Sequence, residues 1–223
     1  MTSVANLLHH LGRPGDIHLG TAHTGTISRL CTGLAALDST LGGGLPRGRI
    51  TELTGARSTG RTGLACAIAA GATGVGETIA WIDPADALDP ESIAGTGVVL
   101  TRMLWVRPRD PGNAFRAADL LLAAGGFGLV VLDAPDPTSA PHVPWRRLAR
   151  TAERTGTVLL VLTTTRHVGT VAALGLELLT RRAHWSTGAG RLTLLDGLSC
   201  EVRVVRSRVG RPGDTLTLQS ACA

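Results

Sequence analysis

Gly55-Ala56-Arg57-Ser58-Thr59-Gly60-Arg61-Thr62 lies between a strand-like apolar run, Ile50 to Leu53, and a helical stretch, Gly60 to Ala70. Glycines at 55 and 60 let the chain turn tightly and approach an anion with no Cβ in the way. Successive backbone N–H groups, backed by the helix N-terminus, then converge on one anion, which is the geometry of a phosphate-binding loop. Gly55, Ser58, Thr59, Gly60 and Arg61 are the candidate phosphate ligands, and Thr62 carries a hydroxyl suited to Mg²⁺. A second apolar run, Leu129-Val130-Val131-Leu132-Asp133, ends on a carboxylate placed to reach the same ion through water. The alternative reading is a plain glycine turn and an ordinary strand-end aspartate.

Outward from this loop, strand-like runs recur at Thr78 to Ile82, Met103 to Val106, Leu129 to Leu132 and Val158 to Leu162. Helical stretches fall around Ala114 to Ala124 and Trp145 to Arg154, and a short helix, Gly33 to Leu41, is closed by the glycine-rich turn Gly42 to Gly48. Apolar strands alternating with helices predict a doubly wound α/β fold, a mostly parallel sheet covered on both faces. After Arg166 the pattern changes. Arg191 to Leu195, Glu201 to Arg208 and Thr215 to Gln219 alternate apolar and polar residues as short antiparallel strands do. Ser3 to Leu11 reads as a short amphipathic helix followed by a Gly/Pro/His-rich linker, giving an N-terminal arm over residues 1–24 and a core domain over 25–223.

The composition agrees with one core of this kind. The 223 residues suffice for a single sizeable domain, and 43% hydrophobic against 17% charged residues exclude a disordered chain. All 22 basic residues are arginine, so a wholesale avoidance of lysine is one account of the arginine at position 61. A net charge of +5 permits contact with polyanions without requiring it. Cys31, Cys66, Cys200 and Cys222 form no CxxC pair, which fits reduced thiols and a cytoplasmic location. The longest apolar run, Val158 to Leu162, is too short to span a membrane, and His9-His10 break the N-terminal apolar pattern before signal-peptide length.

Thr32-Gly33-Leu34-Ala35-Ala36-Leu37-Asp38 with Gly42-Gly43-Gly44-Leu45-Pro46-Arg47-Gly48-Arg49-Ile50-Thr51-Glu52 resembles the entry to the core of bacterial RecA recombinases. Trp81-Ile82-Asp83-Pro84-Ala85-Asp86-Ala87-Leu88-Asp89-Pro90 and Val202-Arg203-Val204-Val205-Arg206-Ser207-Arg208-Val209 extend the resemblance in order along the chain. It implies a RecA-like core, and the short length with a decayed site is most similar to the ImuA-type relatives that accompany mutagenic translesion synthesis. Against that pattern, Arg61 stands where the family has a lysine that neutralises the terminal phosphates. A guanidinium keeps the charge but is planar, longer and bulkier. Ala85 stands where the family has a catalytic glutamate, so that position has no carboxylate to orient the attacking water. Asp86 is one residue away, on a side chain expected to point elsewhere. Asp89 matches a residue near the adenine, Ser92 replaces the aromatic that stacks on the base, and Thr163-Thr164-Thr165-Arg166 replaces the sensing glutamine.

The resemblance also implies partner surfaces. Ile17-His18-Leu19-Gly20 is similar to the small strand by which a RecA subunit adds itself to its neighbour's sheet. Arg206 and Arg208 match basic residues extended toward a neighbouring subunit's nucleotide, the structural alternative being a solvated strand. The two DNA loops of the family correspond to the proline-rich Ala134 to Pro144 and to the segment after Arg166, both shortened, so weak or no DNA binding is expected. Arg146, Arg147, Arg150 and Arg154 share one helix face, which is either a phosphate-contacting or a solvated surface.

Two readings follow. One is a hydrolysis-deficient RecA relative that binds RecA and modulates damage-induced synthesis, with translesion polymerase components as further partners. The other is an active DNA-dependent ATPase. The residues leave open whether the site holds nothing or ATP or ADP with Mg²⁺. A small-molecule kinase lacks support, since no arginine-rich lid motif is present.

Overall fold

The computed structural model describes residues 28–135, 144–187, 193–208 and 213–221. The expected N-terminal helix, the strand-like Ile17, His18 and Leu19, and most of the Ala134 to Pro144 loop lie outside them.

Two short strands, β1 (Arg29–Leu30) and β2 (Leu45–Pro46), pair antiparallel and bracket helix α1 (Ala35–Leu41). Asp38 ties this entry together by accepting from the Thr32 N–H at 2.9 Å and the Thr32 hydroxyl at 2.8 Å. The alternating core follows as β3 (Ile50–Thr54), α2 (Arg61–Gly74), β4 (Ile79–Ile82), α3 (Pro90–Gly95), β5 (Met103–Val106), α4 (Pro111–Ala124), β6 (Leu129–Asp133), α5 (Trp145–Thr155) and β7 (Val158–Thr163). Three longer strands close the chain, β8 (Leu174–Thr187), β9 (Thr193–Ser207) and β10 (Thr215–Ala221). One eight-stranded sheet results, in the order β10-β9-β8-β3-β7-β6-β4-β5. Pairings from β8 to β5 are parallel and those among β8, β9 and β10 antiparallel.

The continuous apolar runs of the central strands reflect burial on both faces. Leu53, Trp81, Val131 and Leu160 pack into the cluster that includes α2, whereas Ile50, Ile82, Val130 and Leu159 pack into the one that includes α4 and α5. Helix starts follow local chemistry. Asp89 accepts from the Ser92 N–H at 2.8 Å and Asp110 from the Gly112 N–H at 2.9 Å, each followed by proline at the first helical position. No helix among the described residues is long and apolar enough to cross a membrane.

The C-terminal strands are longer than the sequence pattern predicts. Arg191 to Leu195 and Glu201 to Arg208 were expected as separate strands, yet residues 193–207 form one strand, and 174–187 is a strand that the pattern misses. Asp196-Gly197 has the composition of a turn, but Gly197 stays in the ladder opposite His184 and Ala221. Register shifts at Gly175/Leu176, Leu178/Arg181 and His184/Trp185 break the period-2 alternation by which a strand is recognised.

Helix α2 crosses the entry segment at close range. A Cβ on Gly71 would lie 2.1 Å from the Thr32 carbonyl oxygen, whereas one on Gly74 meets nothing within 4 Å. Gly71→Ala is therefore expected to destabilise the fold by about 1–3 kcal/mol through overpacking against backbone. Gly74→Ala should stabilise it by about 0.4–1 kcal/mol through reduced unfolded-state entropy. Urea midpoints of the two variants check this, and equal shifts would refute the close crossing.

Candidate functional site

The buried strand β3 ends at Thr54, whose hydroxyl donates to the Leu176 carbonyl at 3.1 Å, and the chain then leaves the sheet through residues 55–60. The turn is closed from within: Thr59 donates through its hydroxyl to the Ala56 carbonyl at 2.8 Å. Ser58 is held at φ 64°, a left-handed conformation that costs a non-glycine residue free energy. Gly60, at φ 93°, supplies the conformation that opens α2. The strand–loop–helix geometry expected of a phosphate loop is thus present.

Arg61 is half-buried, and its guanidinium is bonded to the fold. Its Nη1 donates to the carbonyl oxygens of Gly55 and Thr163, both at 2.8 Å, clamping the loop to the end of β7. Its Nε is buried without a hydrogen-bond partner, as is the hydroxyl of Thr163. The guanidinium also acts on Asp133 at the end of β6. Burial raises the Asp133 carboxyl above the ordinary aspartate range, the Arg61 charge draws it down, and the Asp83 charge raises it further. Thr62 and Asp133, the expected Mg²⁺ ligands, stand at the start of α2 and at the end of β6, and Thr62 lines the cavity beside the loop whereas Asp133 does not. Among the described residues no cluster of three His, Cys, Asp or Glu side chains forms.

The remaining candidates have other duties. Asp83 is 2% exposed and accepts from the Ala87 N–H at 3.1 Å, the Leu88 N–H at 2.9 Å and the Trp105 Nε1–H at 3.3 Å, so it braces the turn after β4. Asp86 pairs with Arg107 at 3.2 Å, and Arg107 lies 4.5 Å over the Trp105 ring, an arrangement that occupies the one carboxylate beside Ala85. Asp89 is a helix cap, its carboxyl held below the ordinary range by the Ser92 side chain and N–H. Arg206 donates to the Ala172 carbonyl at 2.9 Å and the Thr170 carbonyl at 3.2 Å, and Arg208 also donates to Thr170. These two arginines hold the single turn Gly169–Val171 against β9. Glu52, buried in β3, accepts from the His167 and Val168 N–H groups at 2.7 and 2.9 Å and fixes the same segment from below.

A cavity of about 640 Å³ opens beside the loop. Ser58, Gly60, Arg61 and Thr62 line it, while Asp89 and Asp133 do not. Arg181 from β8, Ser199 and Cys200 from β9, and Leu218 from β10 complete its wall. Sequence pattern does not reveal these wall residues, because register shifts in the β8–β9 hairpin decide which side chains reach the loop.

The RecA N-terminal domain family matches residues 2–143 of the chain. Protein RecA of Clavibacter michiganensis subsp. michiganensis is 38% identical over 133 residues, covering 59% of this chain and 37% of the relative. Protein RecA of Rubrobacter xylanophilus is 36% identical over 133 residues, covering 59% of this chain and 39% of the relative. The chain thus spans less than two fifths of the length of these relatives. The crystal structure of the RadB recombinase superposes with a TM-score of 0.63 at 20% identity, covering 84% of this chain and 94% of that one, a likeness of fold.

Two substitutions test the site's electrostatics. Arg61→Ala removes both Nη1 bonds and is expected to lower stability by about 1–3 kcal/mol. Asp133→Asn should act oppositely. A carboxyl whose pKa is higher folded than unfolded opposes folding once ionised, so stability is lost as pH rises through the aspartate range. The Asn variant should be more stable than the parent near pH 7, the gap closing as pH falls to about 4. Denaturant titrations across that range check both, and a pH-independent gap would remove the assigned charge balance.

Proposed function

The chain belongs to the RecA N-terminal domain family, and on that premise we propose that it is a RecA-like DNA damage response protein that does not hydrolyse ATP and acts by binding RecA. Within the family the reading places it with the ImuA-type proteins of translesion synthesis. The observation that carries it is the conformation of Arg61, whose Nη1 is spent on the Gly55 and Thr163 carbonyls. A transferred phosphoryl group needs a cation poised on its oxygens and a carboxylate that orients water. Here a terminal nitrogen of the loop cation is bonded to two backbone carbonyls, position 85 is alanine, and Asp86 is paired with Arg107. The competing reading, an active DNA-dependent ATPase, requires both arrangements to be undone together.

Support for partner contact comes from the sheet edge. β5 ends the strand order, so one side of its backbone has no ladder partner among the described residues. Leu104 on that strand is 46% exposed, with Val99 and Leu100 exposed just before it. An open edge flanked by apolar side chains suits the addition of an extended segment from another protein, which is how RecA-like subunits are expected to join. A subunit that joins without turning over nucleotide would cap or redirect a RecA filament. Arg206 and Arg208 remain candidates for this contact, although their bonds to Thr170 and Ala172 already give them a role inside the chain.

ATP turnover should stay at background with and without single-stranded DNA, and the protein should retain RecA in a pull-down. Leu104→Asp, at an exposed position, should weaken that retention at least tenfold while leaving the fold intact. DNA-stimulated turnover that Asp133→Ala abolishes would overturn the reading on hydrolysis, and no retention of RecA by the intact protein would overturn the reading on contact.

A further inference from the structure

The cavity beside the phosphate loop contains a cation that the loop motif does not supply. We propose that Arg181 is the phosphate-binding residue of this cavity, reaching from β8 to the anionic head of a nucleoside polyphosphate in the role that Arg61 has vacated. The inference rests on the reading above that Arg61 is withdrawn from the phosphates.

A defect in strand pairing places the side chain. β8 advances three residues from Leu178 to Arg181 while β9 advances two, from Val202 to Cys200. One extra residue in β8 reverses the alternation of faces, so Arg181 emerges on the same face as Leu178. Side-chain positions agree, since a Cβ built on Gly60 would lie 3.9 Å from both the Leu178 Cδ2 and the Arg181 Cδ. A regular strand would have turned Arg181 to the opposite face and set Thr180 opposite Cys200 instead.

The charge is available. Arg181 is exposed and forms no ion pair among the described residues; Glu177 is paired with Arg203 at 2.7 Å, and Glu201 accepts from the Thr180 hydroxyl at 3.1 Å. Its influence within the cavity is already visible at Cys200, where burial raises the thiol pKa and the Arg181 charge opposes that rise. A guanidinium can form paired hydrogen bonds with phosphate oxygens. Beside it lie the loop and the N-terminus of α2, whose N–H groups favour the same anion. Leu34, Leu198 and Leu218 supply an apolar wall for the rest of the ligand. Arg57 also lines the cavity from the exposed loop, whereas Arg181 is based on a strand whose backbone is paired at Cys200.

Calorimetric titration of the full chain with ADP, and with inorganic tripolyphosphate as a head-group probe, tests the assignment. Expected results are measurable binding of both by the parent, a loss of tenfold or more in Arg181→Ala, partial recovery in Arg181→Lys, and unchanged affinity in Arg182→Ala. Arg57→Ala should lose less than Arg181→Ala. No binding by the parent at millimolar ligand would overturn the proposal while leaving the absence of turnover untouched. Parent-like affinity in Arg181→Ala, or a loss confined to Arg57→Ala, would also overturn it. ATP hydrolysis by the parent would instead strike the proposed function, leaving the ratio between parent and Arg181→Ala to decide this inference.

Discussion

The carbonyl oxygens of Gly55 and Thr163, at the ends of two adjacent parallel strands, converge on one nitrogen of Arg61. The Thr163 oxygen also accepts from the Gly55 N–H at 3.2 Å, so the last rung of the β3–β7 ladder and the first residue of the loop meet in one place. Strand-end carbonyls are polar groups that a buried edge must satisfy, and a guanidinium with several donors does so without any ligand. The loop is consequently a completed piece of the fold. Its satisfaction is uneven, because the Arg61 Nε and the Thr163 hydroxyl are buried beside these bonds with no partner. An anion that drew Arg61 outward would have to replace two hydrogen bonds before gaining any.

Constraint spreads from this point along the sheet. Residues 167–172, which follow β7, are gripped by Glu52 through two backbone N–H groups and by Arg206 and Arg208 through backbone carbonyls. Charged side chains bonded to backbone on both sides leave that segment little freedom, whereas a loop that responds to nucleotide must have two arrangements of similar free energy. Glu52 from β3 and Arg206 and Arg208 from the end of β9 thus tie this segment to two strands of the sheet at once.

Much of the architecture was legible before any coordinates. Parallel strands buried on both faces write themselves as unbroken apolar runs, so β3, β6 and β7 were readable to within a residue or two. The C-terminal hairpin was not. Its register shifts reset the alternation of faces, and Gly197 continues a strand where its composition suggests a turn. Arg181 was hidden for the same reason, since its proximity to Gly60 depends on the single extra residue between Leu178 and Arg181. At the site, departures such as Ala85 are legible in the sequence, but the bonds of Arg61 to two carbonyls and the pairing of Asp86 with Arg107 are conformational facts that spacing does not encode.

The absence of lysine from the whole chain offers a simple origin for Arg61, namely a substitution made everywhere alike. The structure narrows what that substitution means. A compact ammonium on a four-carbon stem and a broad planar guanidinium differ in how many acceptors they can hold and in which directions. Here the guanidinium presents a terminal nitrogen to two carbonyls while its inner nitrogen stays buried and unpaired, a pattern set by its planarity. Compositional bias accounts for why an arginine arose at position 61. It does not account for the two hydrogen bonds of Arg61 Nη1, which follow from the two carbonyl acceptors at the ends of β3 and β7.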